Sequence, residues 1–190
     1  MENDWNAKLH HQWSTENHDD AKLEVFKTID KYLTSPPISI LDIGCGYAKE
    51  SEMFQKKYGS YLYLLDGDRL ENKSNQSRVD RYGDPQDFAF YMKSADLKKR
   101  FREHDLNFIF IDANKPIMPD IKFDLIYSLL SCGFHYPLEM YKELVLKHSN
   151  NKTVCIFDIR KTTFKQQVNC LKSFKIIDEK EKHYKIHACF

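Results

Sequence analysis

Ile40-Leu41-Asp42-Ile43-Gly44-Cys45-Gly46-Tyr47-Ala48 decides how this 190-residue chain folds. An apolar, strand-forming run reaches a carboxylate, then breaks into a glycine-rich turn that opens a helix. Glycine permits a sharp turn and a close backbone approach to a ligand, which a Cβ would block. About twenty residues beyond Gly46, Tyr61-Leu62-Tyr63-Leu64-Leu65 forms a second apolar run ending at Asp66. An acid at that place is suited to accept both hydroxyls of a ribose. Two strand ends therefore point at one nucleoside.

The glycine spacing selects among nucleoside cofactors. A dinucleotide turn of the form G-x-G-x-x-G needs a small residue three places after Gly46, where the pyrophosphate meets the helix N-terminus. Lys49 stands there instead. The pattern Asp42-x-Gly44-x-Gly46-x-Ala48 resembles the first motif of class I S-adenosylmethionine-dependent methyltransferases, with alanine for the third glycine. Phe108-Ile109-Phe110-Ile111-Asp112-Ala113 is similar to the third strand of that family, and Phe123-Asp124-Leu125-Ile126-Tyr127-Ser128 to its fourth. The landmarks fall in family order.

The resemblance implies S-adenosylmethionine as cofactor and a set of residues around it. The main chain of Gly44, Cys45 and Gly46 would face the methionine and ribose portions. Asp66, Gly67 and Asp68 would surround the ribose, while Asp112 and Ala113 would meet the adenine. Asp42 stands open between cofactor contact and a structural role in the turn that follows, and Ser128 closes the cofactor set. Ser131, His135 and Tyr136 follow the fourth strand on the acceptor side, with His135 the candidate general base because its ring titrates near neutrality. Its plain alternative is stacking between two aromatics. Trp13 joins them as a substrate contact, because Trp5 and Trp13 concentrate in the first thirteen residues around His10-His11. No metal is expected, since adjacent histidines project differently.

Alternation along the chain gives the architecture. Leu23, Phe26, Ile29 and Leu33 follow a 3.6-residue period, so a helix is expected over Ala21 to Leu33, ended by Ser35-Pro36-Pro37. There follow strand Ile38 to Ile43, helix Ala48 to Tyr58, strand Tyr61 to Leu65, helix Phe88 to Glu103 and strand Phe108 to Ile111. Strand Phe123 to Leu130, helix Leu138 to His148, strand Thr153 to Asp158 and helix Thr163 to Leu171 continue the pattern. Such alternation implies right-handed crossovers and a doubly wound parallel sheet with helices on both faces. Phe174 to Asp178 and Tyr184 to Phe190, separated by a short charged link, read as a hairpin. The expectation is a single α/β domain over 1–190 with a seven-stranded, mostly parallel sheet and an antiparallel C-terminal strand. Residues 1–34 form its N-terminal helical cover. The polar stretch 69–87 reads as a lid-like insertion, because a loop that long within a compact domain is uncommon.

Composition narrows the function classes. Lys plus Arg number 29 against 28 acids, so the surface lacks the excess charge that drives nucleic-acid binding. The expected partner is a small-molecule methyl acceptor, with neither nucleic acid nor membrane. No apolar run is long enough to span a bilayer. The N-terminus lacks a basic start and an apolar core, so the cytoplasm is the expected location. Five cysteines, at 45, 132, 155, 170 and 189, lack a C-x-x-C pair and fit reduced thiols rather than a disulfide framework or zinc site.

The acceptor is expected to be a small polar metabolite methylated on oxygen or nitrogen. Ser128 to Pro137 also resembles a segment of short methyltransferases associated with surface-glycan biosynthesis, which leans the acceptor toward a sugar or glycan precursor. The rival readings are an RNA or protein methyltransferase and a non-catalytic cofactor-binding subunit. No Asn-Pro-Pro-Tyr-like segment follows the fourth strand, which disfavours methylation of base amino groups.

Overall fold

A computed structural model of the chain describes residues 19–67 and 94–190. The N-terminal segment with Trp5, His10, His11 and Trp13, together with Asp68 and the stretch 69–87, lies outside the described residues.

Seven strands form one sheet: β1 (Ser39–Ile43), β2 (Tyr61–Asp66), β3 (Phe108–Asp112), β4 (Leu125–Ser128), β5 (Val154–Arg160), β6 (Ser173–Glu179) and β7 (His183–Cys189). Their order is β3-β2-β1-β4-β5-β7-β6. The first five are mutually parallel, whereas β7 runs antiparallel between β5 and β6. Strand order reverses between β1 and β4, so the two crossovers diverge there and leave a crevice at the carboxyl ends.

Helices α1 (Asp19–Asp30), α2 (Lys49–Tyr58) and α3 (Ser94–Glu103) cover one face, and α4 (Lys142–His148) and the short α5 (Phe164–Gln167) the other. The first face buries Phe26, Ile29, Phe54, Leu97 and Phe101 against Ile40, Leu62, Leu64 and Tyr127. The second buries Leu138 and Val145 against Leu41, Ile43, Phe157 and Ile159. Strict alternation in β1 explains the split, since Ile40 and Leu41 enter opposite cores. Full burial of one such side chain stabilises the fold by about 1.5–3 kcal/mol.

The structure ends the first helix at Asp30 rather than Leu33 and revises three further elements. The fourth strand ends at Ser128 rather than Leu130, because Leu130 takes a left-handed φ of 54° that no strand continues. It begins at Leu125 because the Phe123 N–H donates to the His148 carbonyl instead of a neighbouring strand. The stretch expected as helix Leu138 to His148 opens with a 3-10 turn over Leu138–Tyr141 before α4. The expected helix Thr163 to Leu171 divides into α5 flanked by 3-10 turns, Lys161–Thr163 and Val168–Cys170.

Candidate active site

The glycine turn is fixed from below by β2. Gly44 and Cys45 donate their N–H groups to the Leu65 carbonyl at 2.7 and 3.3 Å. Gly44 has φ +70°, and a Cβ placed there would lie 1.9 Å from the Ser131 Oγ and 2.2 Å from its Cβ. Glycine is therefore required twice over, by its backbone conformation and by the residue after β4 that packs on it. Ala48, where the family motif carries its third glycine, is also left-handed, with φ 50°. The alanine sustains that conformation at a cost of about 1–2 kcal/mol.

Asp66 leaves the end of β2 and reaches over this turn. Its Oδ2 accepts the Gly46 N–H at 2.6 Å and its Oδ1 the Gly67 N–H at 2.7 Å. These two bonds orient the group over the turn. Asp112 is Asp66's register partner on β3, and Ala113 donates its N–H to the Asp66 carbonyl at 2.9 Å. The Asp112 Oδ1 accepts both the main-chain and side-chain N–H of Asn114. The two acids stand side by side at adjacent strand ends.

Asp42 is 3 % exposed and lies beneath the turn. Its Oδ2 accepts the hydroxyls of Ser51, at 2.8 Å, and Tyr127, at 2.9 Å, while those two oxygens lie 2.5 Å from one another. Burial pushes its carboxyl up to about 7, the two hydroxyls oppose that shift, and the nearby Glu50 and Asp66 add to it. The side chain clamps the first turn of α2 to β4. Its Oδ1 has no hydrogen-bond partner among the described residues. An open cleft is lined by Asp42, Gly44, Cys45, Ala48, Leu129 and the paired Lys22 and Glu50.

The remaining sequence-predicted residues separate into two groups. Ser128 is fully buried, donates to the Ile43 carbonyl at 2.7 Å and accepts the Cys132 N–H at 2.8 Å. Its hydroxyl is thus committed to joining β1, β4 and the following loop. Cys45 is buried and its thiol is raised well above the ordinary range by desolvation and by Asp66, so it fills the loop and carries no thiolate chemistry. Ser131, by contrast, sits directly against Gly44, and its carbonyl accepts the N–H groups of Phe134, His135 and Tyr136. This tight turn carries the half-buried His135, its ring edge-on to Phe134 at 5.1 Å.

Sequence reasoning missed the Ser51 and Tyr127 partners of Asp42 and the polar group at the far side of the crevice. There Lys185, 1 % exposed, donates to the Asp158 Oδ1 at 2.5 Å, and the His183 Nε2 lies 3.6 Å from that same oxygen. Asp158, a carboxylate inside the otherwise apolar run Val154 to Ile159, was the available signal.

The strand order, the reversed seventh strand and the acid-bearing ends of β1 to β3 fix the fold. It is that of the class I methyltransferases. Among solved structures, a methyltransferase from Pyrococcus furiosus superposes with a TM-score of 0.58 at 14% identity, over 99% of this chain and 98% of that one. Ribosomal protein L11 methylase from Lactobacillus delbrueckii subsp. bulgaricus gives a TM-score of 0.59 at 15% identity, over 92% of this chain and 81% of that one. A 16S rRNA methyltransferase from T. thermophilus, in complex with AdoMet and guanosine, gives 0.60 at 12% identity, over 93% of this chain and 45% of that one. No protein-family model matches the sequence, and no curated protein does.

Proposed function

We propose that this chain is an S-adenosylmethionine-dependent methyltransferase acting on an oxygen or nitrogen of a small polar metabolite, with a sugar or surface-glycan precursor as the favoured class. The observation that carries the proposal is the Asp66 carboxylate at the end of β2, accepting the Gly46 N–H of the glycine turn at 2.6 Å. Solved structures of the same fold include methyltransferases that differ widely in substrate, one in complex with AdoMet.

The residues present fit that cofactor. The bare main chain of Gly44 to Gly46 permits close approach, Asp66 with Gly67 supplies acceptors for the ribose hydroxyls, and Asp112 supplies one for the adenine amino group. When bound, the cofactor supplies a methyl group already activated by its sulfonium. The protein's task is then chiefly alignment, which is worth on the order of 7–11 kcal/mol in favourable cases. His135, on the turn after β4, would take the proton from a hydroxyl acceptor. Cys45 and Cys132, the cysteines of the two turns, do not compete for that role, since burial pushes both thiols well above their ordinary value. Ser128-Leu129-Leu130-Ser131 after the fourth strand supports the small-molecule reading over methylation of a nucleobase amine.

Calorimetry with S-adenosylhomocysteine and NAD tests this reading. Binding of the sulfur nucleoside and none of NAD is expected, and Asp66→Ala should weaken it by about 1.5–3 kcal/mol through loss of charged hydrogen bonds. Micromolar NAD binding with no response to S-adenosylhomocysteine would overturn it.

A further inference from the structure

The carboxyl end of β5 holds an arginine stacked on a neighbouring aromatic ring. Arg160 closes β5, and its N–H donates to the Gly133 carbonyl at 3.0 Å. Its Nε donates to the Phe134 carbonyl, also at 3.0 Å, and its guanidinium lies over the Phe134 ring at 4.4 Å from the centroid. The group is thereby held over an aromatic face, an arrangement that orients the guanidinium and leaves its terminal nitrogens as donors.

Three lysines on this corner already have a carboxylate. Lys185 pairs with Asp158, Lys161 with Glu179 at 2.6 Å, and Lys180 with Asp178 at 3.0 Å. Asp158, the acid on the same strand face two residues before Arg160, is engaged by both Lys185 and His183. Arg160 has no carboxylate partner among the described residues, although it is half-buried and immobilised. A guanidinium fixed in place with no anion of its own is a preformed receptor for a planar or tetrahedral oxyanion, which it grips through two parallel hydrogen bonds.

Its position connects it to the reaction. The turn Ser131 to Tyr136 touches Gly44 at one end through Ser131 and Arg160 at the other through Gly133 and Phe134. Gly133 has φ +90°, and a Cβ there would lie 2.4 Å from the Ile159 Cδ1 and 2.9 Å from the Asp158 carbonyl, so turn and β5 meet without clearance. The Phe134 ring is flanked by His135 at 5.1 Å and His183 at 5.9 Å. One rigid turn thus spans from the cofactor cleft to Arg160 and carries the candidate base between them.

We infer that the methyl acceptor bears an oxyanion, a carboxylate or a phosphate, which docks on Arg160 and sets the acceptor's register relative to His135 and the glycine turn. This rests on the methyltransferase reading and narrows its substrate class to anionic metabolites. Arg160 is assigned as a specificity-determining contact.

The full chain, saturated with S-adenosylhomocysteine, is titrated with phenyl phosphate, with benzoate and with uncharged benzamide. Calorimetry and the NMR signal of the Arg160 Nε–H report binding. One oxyanion should bind saturably and shift that signal, the stronger of the two naming the acceptor's group, and benzamide should do neither. Arg160→Gln should weaken the oxyanion at least tenfold while changing S-adenosylhomocysteine affinity less than twofold, and Arg160→Lys should lie between. Failure of both oxyanions to bind, equal binding of benzamide, or undiminished oxyanion affinity in Arg160→Gln would overturn the inference. The wild-type Nε–H shift decides the matter even if the variants fold poorly. Absence of S-adenosylhomocysteine binding would instead refute the methyltransferase reading, and the same oxyanion titration on the unloaded chain would still test Arg160.

Discussion

Replacing Asp42 with asparagine should change how the protein's stability depends on pH. In the folded chain the Asp42 carboxyl is raised to about 7 from an ordinary 3.8, because it is buried beneath the glycine turn. A carboxyl raised on folding binds its proton more tightly in the folded state, so stability is greatest below the unfolded value and falls as pH rises toward the folded one. The fall amounts to about 1.4 kcal/mol per pH unit, so moving from about pH 5.5 to pH 8 should cost about 2 kcal/mol through Asp42 alone. Asparagine can still accept the Ser51 and Tyr127 hydroxyls through its carbonyl oxygen, and it has no charge to desolvate. Urea unfolding of both proteins at the two pH values isolates the effect, because every other carboxylate titrates in common. The stability of Asp42→Asn relative to wild type should rise by about 2 kcal/mol between them. A difference that stays constant with pH would refute the reasoning and show that Asp42 is ionised throughout.

Gly44→Ala should destabilise by more than the roughly 1–2 kcal/mol of a left-handed alanine, since its Cβ meets Ser131. The double variant with Ser131→Gly should recover the steric share in urea unfolding, and no recovery would mean that the turn moves instead. His135→Ala and His135→Gln should lower turnover of a hydroxyl acceptor by about 10² or more and remove a pH-rate limb near neutrality, with S-adenosylhomocysteine affinity unchanged. Full activity in both would leave His135 a packing residue. Lys185→Met should cost about 3–5 kcal/mol by leaving Asp158 buried without its ammonium, whereas Asp158→Leu with Lys185→Met should restore most of it. An equal loss in the double variant would locate the cost in packing rather than charge.

The cofactor side of this molecule was written in short range and could be read from the chain directly. Asp42, Gly44 and Gly46 lie within five residues, and Asp66 and Asp112 each end an apolar run, so local pattern and strand end coincide. What the sequence concealed is long-range or conformational. Tyr127 bonds Asp42 from 85 residues away, and a tyrosine in an apolar strand carries no mark of that partner. Leu130 adopts a left-handed conformation that leucine rarely takes, so the fourth strand looked longer than it is. The helix expected over Thr163 to Leu171 breaks because Gln167 turns inward, donating to the Gly133 carbonyl and the Thr163 hydroxyl and accepting the Leu138 N–H. Arg160 went unnoticed because its distinction is the lack of a carboxylate partner among the described residues, which spacing does not display.

Strand β6, the outermost of the sheet, turns Phe174 and Ile176 to solvent, 41 % and 43 % exposed. An edge so furnished would ordinarily invite a foreign strand to add to it. Its pairing with β7 slips between Ile176 and Asp178, so that Ile177 is the extra residue and packs toward the core around Phe26 and Tyr127. The uninterrupted ladder before the slip runs only from Ser173 to Ile176 and includes Lys175, too short and too charged a template for stable accretion. The irregularity thus protects the sheet against self-assembly at its edge, and straightening it by deleting Ile177 would expose the protein to fibrous growth along that strand.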